Sequence, residues 1–160
     1  MNLGISLSHL GLSQSAFNAI KLANKMFGTE HDCVLFYRDM SMHCTKINAG
    51  VMTLSQIWGF KGTLITTSFY DTEFAINAIG PESILFYIWD LEFLRKEKNY
   101  IKNLTILRNQ DIVLVARNKD HADIIYNYCN RYPELIVNNF NFNLSEIGSN
   151  ASRTQCLNSD

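Results

Sequence analysis

FKGTLITTSFYDTEFAINAIGPESILFYIWDLEF, from Phe60 to Phe93, decides how the chain is read. Two apolar runs, Thr63–Thr67 and Ile84–Ile88, each end in polar or aromatic residues. Between them Phe74, Ala75, Ala78 and Ile79 recur at helical spacing, with Asp71 placed to cap that helix and Gly80-Pro81 to close it. Strand, helix and strand in so short a stretch mark a crossover unit whose strands run parallel.

Toward the N-terminus the same alternation continues. Asn2–Leu7 reads as a buried strand. Ser13 caps a helix to about Phe27, with Ala16, Phe17, Ile20, Ala23 and Phe27 on one face and Gly28 as the stop. Cys33–Tyr37 is a continuous apolar run, the mark of a strand covered on both faces. Asp39–Asn48 reads as irregular, and Val51–Trp58 as a helix stopped by Gly59.

Toward the C-terminus, Leu91–Lys98 reads as one or two helical turns and Leu104–Leu107 as a short strand. Asp111–Ala116 is a stronger strand. Lys119–Arg131 is a helix with Ile124, Ile125, Tyr128 and Cys129 inward, ended by Pro133. Leu135–Val137 is the last strand. The expectation is an α/β, Rossmann-like, doubly wound fold over residues 1–145. Its mostly parallel sheet has about six strands, near Leu3, Leu35, Ile65, Phe86, Val113 and Ile136, with the first strand central and helices on both faces. Residues 146–160 read as a polar, frayed tail.

Composition bounds the function. Of 160 residues, 47% are hydrophobic and 18% charged, enough for a sizeable core. The net charge of -1 argues against a broad nucleic-acid surface. The longest apolar stretch, Ile84–Leu94, is interrupted by Asp90 and Glu92, so no membrane span is expected. The first residues lack the basic start of a secretory signal. Cys33, Cys44, Cys129 and Cys156 have no C-x-x-C spacing; Cys33 and Cys129 read as buried, reduced thiols, and the chain as cytoplasmic. The sequons at Asn103, Asn143 and Asn150 are chance matches in an asparagine-rich chain.

Ligands of open parallel sheets bind beyond the carboxyl ends of the strands. Those ends are Ser8–Ser13, Arg38-Asp39, Ser68–Tyr70, Trp89-Asp90, Arg117-Asn118 and Asn138-Asn139. Only Gly4 and Gly11 stand near the first turn, so a dinucleotide fingerprint is missing, as is a phosphate loop. A capped helix start at Ser13–Ser15 could receive an anion. His31, Cys33, His43 and Cys44 match no common zinc spacing, and no metal is expected. Asp90 has two readings, a general base beside Trp89 or a helix cap turned onto the backbone of Glu92 or Phe93; the cap is preferred, and the roles are compatible.

The segment order resembles the N-terminal half of a GT-B glycosyltransferase. Four places carry the likeness. They are Gly4–Gly11 followed by Gln14 and a helix, Phe60–Thr67, Phe86–Phe93, and Asp111–Arg117 with the following helix and Val137–Phe140. Phe86–Phe93 (FYIWDLEF) is similar to the Y-x-W-D-x-E-W stretch of some bacterial and phage enzymes. The resemblance covers about residues 1–145 and implies a transferase-like half-domain, acting with a partner chain or as an acceptor-binding remnant. Ser8, His9, Gly11, Gln14, Ser68, Trp89, Arg117 and Asn138 would bind a sugar or glycan acceptor, and Asp90 would be the candidate catalytic carboxylate. In that family a second domain grips the nucleotide sugar through two glutamates, a pair without a counterpart here. The expectation is therefore no cofactor of its own, with a nucleotide sugar only if a partner chain supplies that domain. Two other readings stand beside it. One is a non-catalytic binding protein, possible as a homodimer because Tyr70, Tyr87, Trp89, Tyr100, Tyr126 and Tyr132 cannot all be deeply buried. The other is a small independent enzyme, for which no nucleophile–base pair can be named.

Overall fold

The computed structural model describes residues 2–42, 45–95 and 97–143. Seven strands lie among them: β1 (Asn2–Leu10), β2 (Asp32–Met40), β3 (Gly50–Thr53), β4 (Thr63–Thr66), β5 (Ser83–Ile88), β6 (Ile112–Ala116) and β7 (Leu135–Ile136). They form one sheet in the order β3-β2-β1-β4-β5-β6-β7, with every neighbouring pair parallel. The helices are α1 (Gln14–Met26), α2 (Phe69–Asn77), α3 (Tyr100–Arg108) and α4 (Lys119–Cys129). The fold is α/β and Rossmann-like, with the first strand central, as the sequence predicts.

Alternation along the strands explains the two layers. Leu3, Ile5, Leu7, Leu35, Ile65, Leu85, Tyr87 and Val115 share one face, where they meet Ala16, Ile20, Ala23 and Met26 of α1. The other face carries Phe36 and Leu64 against Ala75 of α2. On that face too, Phe86, Ile88, Leu114 and Ala116 pack against Leu107 of α3 and Ile125 of α4. The chirality of crossovers dictates this division. The chain moves one way from β1 to β2, placing α1 on one face, and the other way from β4 onward, placing α2, α3 and α4 on the opposite face. Each fully buried Leu, Ile or Phe contributes about 1.5–3 kcal/mol to this core.

Helix starts are held by side chains. Ser13 Oγ accepts from the Ala16 N–H at 3.1 Å, Ser68 Oγ from the Asp71 N–H at 3.1 Å, and Asn118 Oδ1 from the His121 N–H at 2.8 Å. Each such cap is worth about 1 kcal/mol. The cap of α2 is therefore Ser68 and not Asp71, which sits one turn inside the helix and is fully buried. Helix α4 ends at Asn130, whose φ of 58° places it in the left-handed region, three residues before Pro133. Gly62, with φ 141°, lets β4 start beside β1: a Cβ there would lie 2.4 Å from the Asn2 carbonyl oxygen.

Two stretches differ from the sequence reading. Val51–Trp58 is not an α-helix. Gly50–Thr53 pairs with Val34–Tyr37 as the seventh strand, and Leu54–Gly59 is a 3-10 helix whose inward residues, Leu54 and Ile57, are three apart. Leu104–Leu107 is not a strand but the last turn of α3, which turns Asn103, Ile106 and Leu107 inward at helical spacing. Strand β2 also extends to Met40, into the stretch read as irregular.

Cys33 and Cys129 are free and buried, as expected, and burial pushes the Cys33 thiol up to about 12. Of the aromatics singled out, Tyr87 is fully buried, whereas Tyr70, Tyr100, Tyr126 and Tyr132 are exposed. His43, Cys44, Cys156 and the polar tail lie outside the described residues. Among the described residues no helix is long and apolar enough to cross a membrane.

Candidate functional site

The chain leaves β1 toward β2 on one side and β4 toward β5 on the other, so the connections that follow these adjacent strands run to opposite faces at their carboxyl ends. The place where such connections part is where doubly wound sheets open a crevice. A cavity of about 570 Å³ lies there. Ser8 and His9 at the end of β1, Thr67 and Ser68 after β4, and Trp89 and Asp90 after β5 border it. Helix α1 presents Ser13, Gln14 and Ser15, and the region after β5 adds Asn99 and Asn103.

Six of the nine predicted site residues therefore share one crevice: Ser8, His9, Gln14, Ser68, Trp89 and Asp90. Gly11, Arg117 and Asn138 do not line it. Gly11 is buried beneath His9 and Ser41, whose Nε2 and Oγ are 2.9 Å apart, and a Cβ would collide with both side chains. Arg117 lies 4.3 Å over the Trp89 ring and donates to Asn139 Oδ1 at 3.4 Å, so it braces the tryptophan from outside the cavity lining. Asn138 is exposed after β7.

The aromatic walls are held on both sides by guanidinium groups. Arg38, from β2, stacks 4.9 Å over Tyr70 on the first turn of α2, mirroring Arg117 on Trp89. Trp89 is further fixed by Tyr87 and Phe140, at ring-centroid distances of 5.8 and 5.6 Å. Asp90 is exposed, and its Oδ1 accepts from the Leu91 N–H at 2.8 Å. Its backbone partner is thus the next residue, and not Glu92 or Phe93 as expected, because the turn that follows opens as a 3-10 helix at Glu92. The side chain lines the crevice.

Behind the crevice sits a carboxylate that the sequence reading took for a cap. Asp71 Oδ2 accepts from Ser8 Oγ at 3.2 Å, while Asp71 Oδ1 and Ser6 Oγ are buried without a hydrogen-bond partner. Burial pushes the Asp71 carboxyl above its ordinary value, against opposing contributions from Ser68, Ser6, Ser8 and the charge of Arg38. Ser6 is close enough to act electrostatically although it makes no hydrogen bond of ordinary geometry. Folding thus favours the protonated acid. Its contribution to stability is full below the ordinary value of 3.8 and is lost as pH rises through the higher folded value. Asp71→Asn, which keeps an acceptor for Ser8 and removes the buried charge, is expected to stabilise the protein at pH 7 by about 1 kcal/mol. The gain should shrink as pH is lowered toward 3.8, which urea denaturation across that range measures.

A larger cavity, of about 830 Å³, opens at the amino ends of β1, β2 and β3, between Asn2, His31, Asp32, Gly50 and Lys61. Volume favours it, but position favours the crevice: the carboxyl ends carry the helix starts and the diverging connections, whereas the amino-end hollow is walled by segments that enter the sheet. The polar crevice residues missed from sequence include Thr67, Glu92, Asn99 and Asn103, the last two at the start of a helix whose end reads as a strand. Among the described residues no group of three His, Cys, Asp or Glu side chains could hold a metal ion.

The chain matches no protein-family model, no curated protein and no solved structure at a significant level. Its site is read from geometry.

Proposed function

We propose that this domain is the acceptor-binding half of a GT-B-type glycosyltransferase and takes a sugar or glycan in the crevice between β1 and β4. The observation that carries the reading is the lining of that crevice. Hydroxyls of Ser8, Ser13, Ser15 and Ser68 and amides of Gln14, Asn99 and Asn103 surround the aromatic side chains of Tyr70 and Trp89. A sugar offers many donors and acceptors around apolar C–H faces, so hydroxyl and amide partners beside aromatic walls suit it better than they suit a lipid, and the charged side chains of the lining, Arg38, Asp90 and Glu92, are of mixed sign and gather no single charge for a multiply charged ligand. Asp90, exposed at the same cavity, is the base that would take the proton of the acceptor hydroxyl. The nucleotide sugar would be held by a second, donor-binding unit, covalently joined or separate.

Titrating the ¹⁵N-labelled chain with a panel of mono- and oligosaccharides tests this. At least one sugar should shift the amides of Ser8 and Ser68 and the indole N–H of Trp89 in a saturable way. Asp90→Asn should keep that binding and its stability, because Asn can still accept from Leu91. With a donor-binding unit present, the same variant should lose about 10²–10⁴-fold in transfer rate. A panel that leaves all three signals unmoved rejects the acceptor reading.

A further inference from the structure

We infer that β3 is a self-pairing edge, through which two copies of this chain join their sheets about a two-fold axis. Strand β3 ends the sheet, and all four of its residues, Gly50–Thr53, are exposed. Alternate N–H and C=O groups of an outer strand point away from its only neighbour and await a partner. Exposed edges are ordinarily blunted by a charge, a proline, a bulge or a covering helix. None protects β3. Its register with β2 is continuous from Gly50 to Thr53, and the following 3-10 helix turns Leu54 and Ile57 onto the sheet face beside Phe36.

The surrounding surface says what fits. From Ile47 to Phe60 there is no charged residue, in a chain that is 18% charged. Val51, Met52 and Trp58 are exposed within that interval. A strand of this kind is complementary to itself: antiparallel pairing about a two-fold opposes no like charges, and the nearest lysines in sequence, Lys46 and Lys61, lie outside the pairing segment. The opposite edge is unlike it. Strand β7 has only two residues, which leaves little ladder to offer. Isologous pairing of β3 with β3 closes after two copies, whereas β3 with β7 would continue without end. The crevice between β1 and β4 does not include β3, so this inference stands whether or not the acceptor reading does.

Sedimentation equilibrium at micromolar concentration tests it with three proteins. The unaltered chain should sediment as a dimer of 18.3 kDa subunits. Met52→Lys, a change at an exposed side chain, should weaken the dimer by at least about tenfold by opposing two like charges. Ile136→Lys, on the other edge, should leave it intact. An unaltered chain that is monomeric, a dimer indifferent to Met52→Lys, or open-ended association relieved by Ile136→Lys would each overturn the inference. Circular dichroism of both variants separates lost pairing from lost folding.

Discussion

Tyr87→Ala is expected to cost about 4–5 kcal/mol, the largest loss for any single truncation near the crevice. Tyr87 is fully buried in the middle of the sheet, and its hydroxyl donates to the Val137 carbonyl at 2.6 Å. Its ring meets Trp89, Phe140 and Phe142 edge-on at centroid distances of 5.8, 4.7 and 5.5 Å. Truncation would leave a cavity, an unpaired carbonyl and a tryptophan without its support. Tyr87→Phe separates these parts: it keeps the ring packing and should cost about 1–1.5 kcal/mol, the worth of one buried hydrogen bond. Urea denaturation followed by Trp fluorescence reads both. If the alanine variant lost less than the phenylalanine one, the aromatic cluster would not be part of the core.

Arg131→Met is expected to cost about 3 kcal/mol, although the residue lies in a loop. Only 11% of its side chain is exposed. Its guanidinium donates to the carbonyls of Leu107, Asn109 and Ile112 and to Glu134 Oε1, the Leu107 and Ile112 bonds at 3.2 and 2.7 Å. Glu134 Oε2 in turn accepts from the Leu114 N–H at 2.6 Å. One side chain thus ties the end of α3, the start of β6 and the approach to β7. Methionine fills similar space but leaves three carbonyls and a carboxylate without their donor. Arg131→Lys should recover only part of the loss, because an ammonium cannot reproduce the planar fork. The check is a fall in the urea midpoint at unchanged m-value.

The central crossover unit was legible because both its strands are covered on two faces; its helix lies earlier than the spacing suggests, for of Phe74, Ala75, Ala78 and Ile79 only Ala75 is buried, and Ala78 and the exposed Ile79 lie beyond the end of α2 at Asn77. The same rule led to Ser8, Ser68 and Trp89, since strand ends in a parallel sheet converge whatever their sequence. Legibility failed where local pattern and tertiary demand diverged. Val51, Leu54, Ile57 and Trp58 fall at helical intervals, yet β2 has a free edge that Gly50–Thr53 satisfies first. Leu104–Leu107 looks like a strand, but its inward set belongs to a helix lying over β5 and β6. Ser68 and Asp71 are both favoured caps three residues apart, and only the fold shows Asp71 drawn in toward Ser8. The Arg131 knot is made to main-chain carbonyls about twenty residues away, and backbone acceptors leave no mark in a sequence.

The central place of β1 also sets an order of events during synthesis. Its partner on one side, β2, pairs Cys33 with Leu3, but its partner on the other side pairs Thr63 with the same Leu3. The ribosome therefore delivers a parallel β1-α1-β2 crossover unit well before the strand that shields the second flank of β1. Until residues 63–66 emerge, one flank of β1 lacks its partner strand. Pulse-labelling of nascent chains stalled before and after residues 63–66 have cleared the ribosome should find the amides on the β4 side of β1 exchanging freely in the shorter chains and protected in the longer ones, and it is in that interval that a chaperone would find its target.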